Sequence, residues 1–97
     1  MEYNQINTSY KYDTLAEAIY SRQMEHFHYN FDKTNYEHML ANMEDGPSKA
    51  YIQQNYNDTL TQMAVVENIY NALLAQIDDQ EAYAAAVARA EAKRNSA

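Results

Sequence analysis

The densest group of reactive side chains in this chain is Glu25-His26-Phe27-His28-Tyr29, with Asp32 and His38 close behind, and all three histidines fall between positions 26 and 38. Imidazole and carboxylate are ligands of zinc and iron. On a helix His28 and Asp32 lie four apart and share a face, so they could hold one ion. His26 is two residues from His28 and points the other way. His38 is ten beyond His28, which is ~15 Å of rise along a continuous helix. It joins the others only if the chain bends near residue 32. Catalytic metal centres take three protein ligands, and this face offers two. A His-based metal module built on His28, Asp32, His26 and His38 is therefore the weakest of three functional readings, and no metal or other cofactor is expected.

Other chemistry has less to work with. The single glycine excludes a phosphate-cradling loop of the Gly-rich kind. There is no cysteine, so disulfides, thiolate sites and Cys nucleophiles are excluded. Ser9, Ser21, Ser48 and Ser96 sit in no nucleophile-elbow motif. The acids are scattered, with no pair placed for acid/base work. No enzyme is expected.

One stretch resembles a known family. Tyr12-Asp13-x-Leu15, Ile19, Arg22 and Met24-Glu25, followed by His28-Tyr29 and Tyr36, look like the first helix of iron/manganese superoxide dismutases. In that family a histidine after such a stretch binds the metal, and a tyrosine eight residues later stands behind it. The resemblance implies those roles for His28 and Tyr36, and a helical-hairpin shape. It covers about a quarter of the chain. One residue must be inserted before His28, Asp32-Lys33 replaces the family's histidine pair, no histidine follows His38, and the family's second, ligand-bearing domain has no counterpart. The resemblance does not carry dismutase activity.

The elements that would position these side chains are helical. Gly46 and Pro47 are the only glycine and proline, and they are adjacent. Sandwiches and barrels need turn residues every 8–12 positions, so the chain reads as all-α. Residues 1–12, with Tyr3, Tyr10 and Tyr12 and no helical period, read as an extended N-terminal arm. Thr14-x-x-Glu17 is a capping box that opens a helix over about 14–31, with Leu15, Ala18, Ile19, Arg22, His26 and Phe27 as its inner stripe. Thr34-x-x-Glu37 is a second box, predicting a restart over about 35–45 with Tyr36, Met39, Leu40 and Met43 on one face. Gly46-Pro47 ends that run, and Ser48 caps a long helix over about 48–77. A last helix over about 79–94 either continues it or restarts after Asp78-x-x-Glu81. The expected architecture is one helical domain over 13–97, an antiparallel hairpin or a small three- to four-helix bundle.

The long helix carries the clearest pattern. Ile52, Tyr56, Thr59, Met63, Val66, Tyr70, Leu73 and Ile77 alternate by four and three, a coiled-coil seam with Thr59 its only clearly polar position. Leu60, Ile69 and Leu74 widen the stripe. Ten tyrosines against two phenylalanines and no tryptophan supply apolar area with a polar tip, which suits surfaces covered on assembly. The expected interaction residues are Tyr56, Met63, Val66, Tyr70, Leu73, Ile77 and Tyr83. Residues 82–92 hold seven alanines, either an exposed helical end or a surface that lets another backbone come close.

Charge bounds the partners. The net charge is −7, and the three cations Arg89, Lys93 and Arg94 crowd into the last nine residues. An acidic body repels phosphate backbones, so direct nucleic-acid binding is not expected. No apolar run reaches the ~18 residues of a membrane span, and the first residues have no signal-peptide character, so a cytoplasmic or particle-associated (virion) setting is expected. The leading function is a non-enzymatic interaction or assembly protein, a helical adaptor or a structural subunit of a larger complex, self-associating as a homo-oligomer or bound to a protein partner. The alternative is a small acidic inhibitor that occupies a basic, nucleic-acid-binding site on a target.

Overall fold

A computed structural model describes residues 10–96 and forms three α-helices among them, with no strand: α1 Asp13–Asn42, α2 Pro47–Leu74 and α3 Gln80–Asn95. Every regular element among the described residues is a helix, as the scarcity of turn residues leads one to expect. Residues 1–9 of the expected arm lie outside the described residues. Tyr10–Tyr12 form a turn rather than extended chain: the Asp13 N–H donates to the Tyr10 carbonyl at 3.2 Å, and Tyr12 is buried.

α1 is one helix where the sequence predicts two. Thr34 does not cap a restart; its hydroxyl donates to the Asn30 carbonyl at 3.0 Å, four residues back along an unbroken helix. Such back-bonding lets a threonine sit inside a helix with its polar group satisfied. No glycine or proline interrupts the run. The helix ends at Asn42, whose side-chain amide donates to the His38 carbonyl at 2.9 Å.

α2 starts at Pro47, not after a Ser48 cap. Proline at the first helical position has its φ preset and misses only an N–H that would be orphaned there. Gly46 precedes it at φ +155°, a backbone setting that L side chains rarely take, and its carbonyl accepts the Ala50 N–H at 3.0 Å. The helix passes 57–59 without interruption. Its far end tightens: the N–H groups of Gln76 and Ile77 each donate three residues back, at 3.1 Å. A new helix then starts at Gln80, with Asp79, not Asp78, as its cap: Asp79 Oδ1 accepts the Ala82 N–H at 3.1 Å.

By contact the described residues divide into two compact units, one made of 10–21 together with 70–96, the other of Arg22–Ile69. In the first unit Tyr12, Ala16 and Ala86 form a buried cluster, against which Leu15, Ala82, Tyr83 and Val87 pack. Ile19 and Ala90 are buried as well. The Tyr12 and Tyr83 rings meet edge-on at 6.2 Å. Here the start of α1 and α3 run in the same direction, since Asp13 pairs with Arg89 and Glu17 with Arg94. The alanines of α3 thus let this unit's own helices come close.

In the second unit α1 and α2 run in opposite directions. His26 pairs with Glu67 at 2.8 Å; eleven residues later on α1 and eleven earlier on α2, Glu37 meets Tyr56 at 2.9 Å. The inward positions of α2 are the predicted seam from Ile52 to Val66, with Thr59 and Val66 buried. The Thr59 hydroxyl donates to the Asn55 carbonyl at 2.9 Å, so the seam's polar position is satisfied within its own helix.

Candidate interaction surface

The face that α1 turns inward in the second unit is the polar one. Arg22, His26, Tyr29, Lys33, Tyr36, Leu40 and Met43 alternate by four and three, and all are shielded. Three of the seven, Arg22, His26 and Lys33, carry basic side chains. They are held by partners: Arg22 Nε lies 2.8 Å from Glu25 Oε1, His26 meets Glu67, and Lys33 Nζ lies 3.1 Å from Glu37 Oε2. The stems of such side chains cover apolar surface while their heads find charge.

The opposite face carries the phenylalanines. Phe27 is 62 % exposed and Phe31 61 %, with Met24 at 37 %. Phe27, expected on the inner stripe beside His26, faces outward instead. Met39, expected on a shared face with Tyr36, Leu40 and Met43, is also exposed. Met24, Phe27 and Phe31 are spaced by three and four, and Thr34 continues the series. That is the spacing of a second helix-to-helix seam, on the side of α1 away from α2. In this unit α2 adds Tyr51, Leu60, Val65 and Ile69 to the exposed large apolar side chains. The register that joins His26 to Glu67 sets Ile69 level with Met24 and Val65 level with His28.

Tyr56 and Met63 are half-buried and Val66 is buried in the second unit; Tyr70, Leu73, Ile77 and Tyr83 are half-buried in the first. Burial, with Tyr70 near, pushes the Tyr83 phenol up from its usual range. The Tyr56 phenol is raised because it donates to Glu37, and the Glu37 carboxyl is correspondingly lowered by Tyr56 and by Lys33. The outer stripe is hard to see from sequence because a first helix that ends at about residue 31 places Phe31 at its last position and separates it from Thr34. Once the helix is taken as continuous, the spacing of Met24, Phe27 and Phe31 exposes it.

The metal candidates do not converge. Because α1 has no bend at residue 32, His38 stays far from His28. His26 is engaged by Glu67, and exposed His28 has the Phe27 ring 5.9 Å away. Among the described residues no three His, Asp or Glu side chains are grouped to hold a metal ion. The donor set implied by the superoxide dismutase resemblance therefore does not fit. His28 is exposed, and Tyr36 sits two turns away on the inward face. Among the described residues no helix is long and apolar enough to cross a membrane.

Compared with known proteins, the chain matches no family model, no curated protein and no solved structure.

Proposed function

We propose that this chain is a non-enzymatic assembly protein, a small helical adaptor or structural subunit that works by packing the outer face of α1 against another helix. The observation that carries the reading is the exposure of Phe27 and Phe31 at helical-seam spacing while Arg22, His26 and Lys33 take the inward positions. A helix that spends its phenylalanines on the outside leaves the hydrophobic gain of covering them to a partner. The antiparallel arrangement of α1 and α2 makes the stripe a surface on a supported helix. A particle-associated or cytoplasmic setting fits such a role.

The charge pattern favours assembly over occupation of a basic site. Among the described residues six of the seven Lys and Arg side chains are paired with acids of the same chain: Lys11, Arg22, Lys33, Lys49, Arg89 and Arg94. These pairs tie up Asp78, Glu25, Glu37, Asp45, Asp13 and Glu17, so nearly half of the 14 acids already have a cation. A DNA-like surface would keep them unpaired and in line.

The test is photocrosslinking with benzoylphenylalanine at Phe31 in cells that express the chain. A discrete adduct that disappears in Phe27→Asp supports the reading. No discrete adduct of any mass, a second copy of the chain included, overturns it.

A further inference from the structure

We infer that the occupant of the outer face of α1 is a second copy of this chain, packed antiparallel about a twofold axis near residue 29. The inference rests on the assembly reading above and names its partner. Three observations on the second unit lead to it.

The first is self-complementarity. A twofold interface sets the same patch against itself, so residue i meets j and j meets i. The stripe Met24, Phe27, Phe31 and Thr34 is symmetric about position 29. Reversed on itself, it sets Phe27 against Phe31 of the partner subunit twice over, and Met24 against Thr34 of the partner subunit at both ends. Four phenylalanine rings then close the centre, and the smaller threonines make room for the methionines at the edges. The large, exposed rings would thus be buried in the middle of the contact, where burial contributes most to affinity.

The second is charge. The chain carries −7, which opposes the approach of two copies over most of the surface. The side chains flanking the stripe, Gln23, His28, Asn30 and Asn35, include no acid. Two acids lie one residue from the stripe: Glu25 is half-buried and 2.8 Å from Arg22, and exposed Asp32 stands roughly 120° round the helix from the stripe's centre, where the twofold sets it level with position 26 and not with another acid. Two acidic copies can therefore meet here without setting carboxylate against carboxylate. A basic target would gain nothing from this patch and would be drawn elsewhere.

The third is how little apolar surface the chain buries alone. Among the described residues only Val66 of this unit is a buried hydrophobic side chain, while Met24, Phe27, Phe31, Met39, Tyr51, Leu60, Val65 and Ile69 remain exposed. Small domains with a thin core commonly reach stability by association.

The experiment is molar mass by light scattering on the full chain at about 10 and about 100 µM, paired with circular dichroism. The expected result is twice the 11.3 kDa of one chain, falling twofold to the single-chain mass in Phe27→Asp/Phe31→Asp with helicity retained. Because both rings point to solvent in the single chain, the variant should fold; if it does not, the milder Phe27→Ser/Phe31→Ser serves. A second arm uses the absence of cysteine. In an antiparallel pair the two copies of residue 30 lie on one side of the interface beside the axis, too far apart for a direct disulfide but within reach of a short bis-maleimide reagent, so Asn30→Cys is cross-linked to a dimer by that reagent. A single-chain mass at both concentrations overturns the second-copy inference, and so does a dimer that survives loss of both phenylalanines. An adduct at Phe31 with a different protein would also overturn it while leaving the assembly reading intact. A dimer in which Asn30→Cys does not cross-link overturns the antiparallel arrangement.

Discussion

The buried hydroxyl of Tyr12 donates to the Asp78 carboxylate and accepts the backbone N–H of the same residue at 3.0 Å, joining positions 66 apart in sequence. Lys11 adds an ion pair to that carboxylate at 3.0 Å. The break between α2 and α3 thus has a partner for the N–H it exposes. Tyr12→Phe keeps the ring against Tyr83, Ala16 and Ala86 and removes both bonds. It should cost about 1 kcal/mol, and at this chain length lower the melting temperature by roughly 4–8 °C in circular dichroism. An unchanged melt would show that these bonds add nothing to stability.

Acid should destabilise the protein through two carboxyls. Asp78 is held below the usual carboxylate range by Tyr12 and then Lys11, and Glu37 by Tyr56 and then Lys33. A group whose folded pKa is depressed contributes stability above its unfolded value and loses it as pH falls through the folded one. The loss therefore begins near pH 4 and deepens below it. Asp78→Asn with Glu37→Gln should flatten that limb in urea unfolding measured from pH 6 to pH 2. At the other extreme Lys11 is raised, by Asp78 first and then Tyr12, so its contribution is present below the ordinary lysine range and is lost at still higher pH. An acid limb of the same slope in the double variant would show that the two carboxyls do not set it.

Large apolar side chains should divide sharply by position. Ile19 is 1 % exposed and Phe31 61 %. Ile19→Ala removes packed methyl groups and should cost about 2–5 kcal/mol. Phe31→Ala at a concentration where the chain is monomeric should stay within about 0.5 kcal/mol. If the two variants unfold at similar urea concentrations, the placement of α1's two faces is wrong.

The start of α3 depends on one side chain. Asp79→Ala removes the acceptor of the Ala82 N–H and should cost about 0.5–2 kcal/mol, with loss of helical signal. Asp79→Asn or Asp79→Ser, which can still cap, should recover most of it. Equal loss in all three would mean that the hydroxyl or amide cannot replace the carboxylate there.

Much of the helical content was legible because it is set locally. Gly46-Pro47 marks the turn and Pro47 starts the second helix, the alanines of 82–92 favour helix, and the four-three spacing from Ile52 to Leu73 marks one face of α2. Sequence and structure part where two local signals conflict. Thr34-x-x-Glu37 has the form of a helix start, yet with no glycine or proline nearby the backbone continues and the hydroxyl turns back to Asn30. Phe27 and Met39 look like core by residue type, and Arg22, His26 and Lys33 do not.

The sequence by itself determined the all-α class, the site of the turn at Gly46-Pro47, the inward face of α2 and the acidic charge, because each depends on residue type and short-range spacing. Only the tertiary structure decided which face of α1 turns inward. An amphipathic pattern names a preferred face only when one face is plainly more apolar, and α1 offers two at the same spacing. The partners across the helices break the tie: Glu67 lies opposite His26 and Tyr56 opposite Glu37, so the polar stripe finds ion pairs and hydrogen bonds there. That choice leaves Met24, Phe27 and Phe31 on the outside, and so fixes where an assembly surface is proposed.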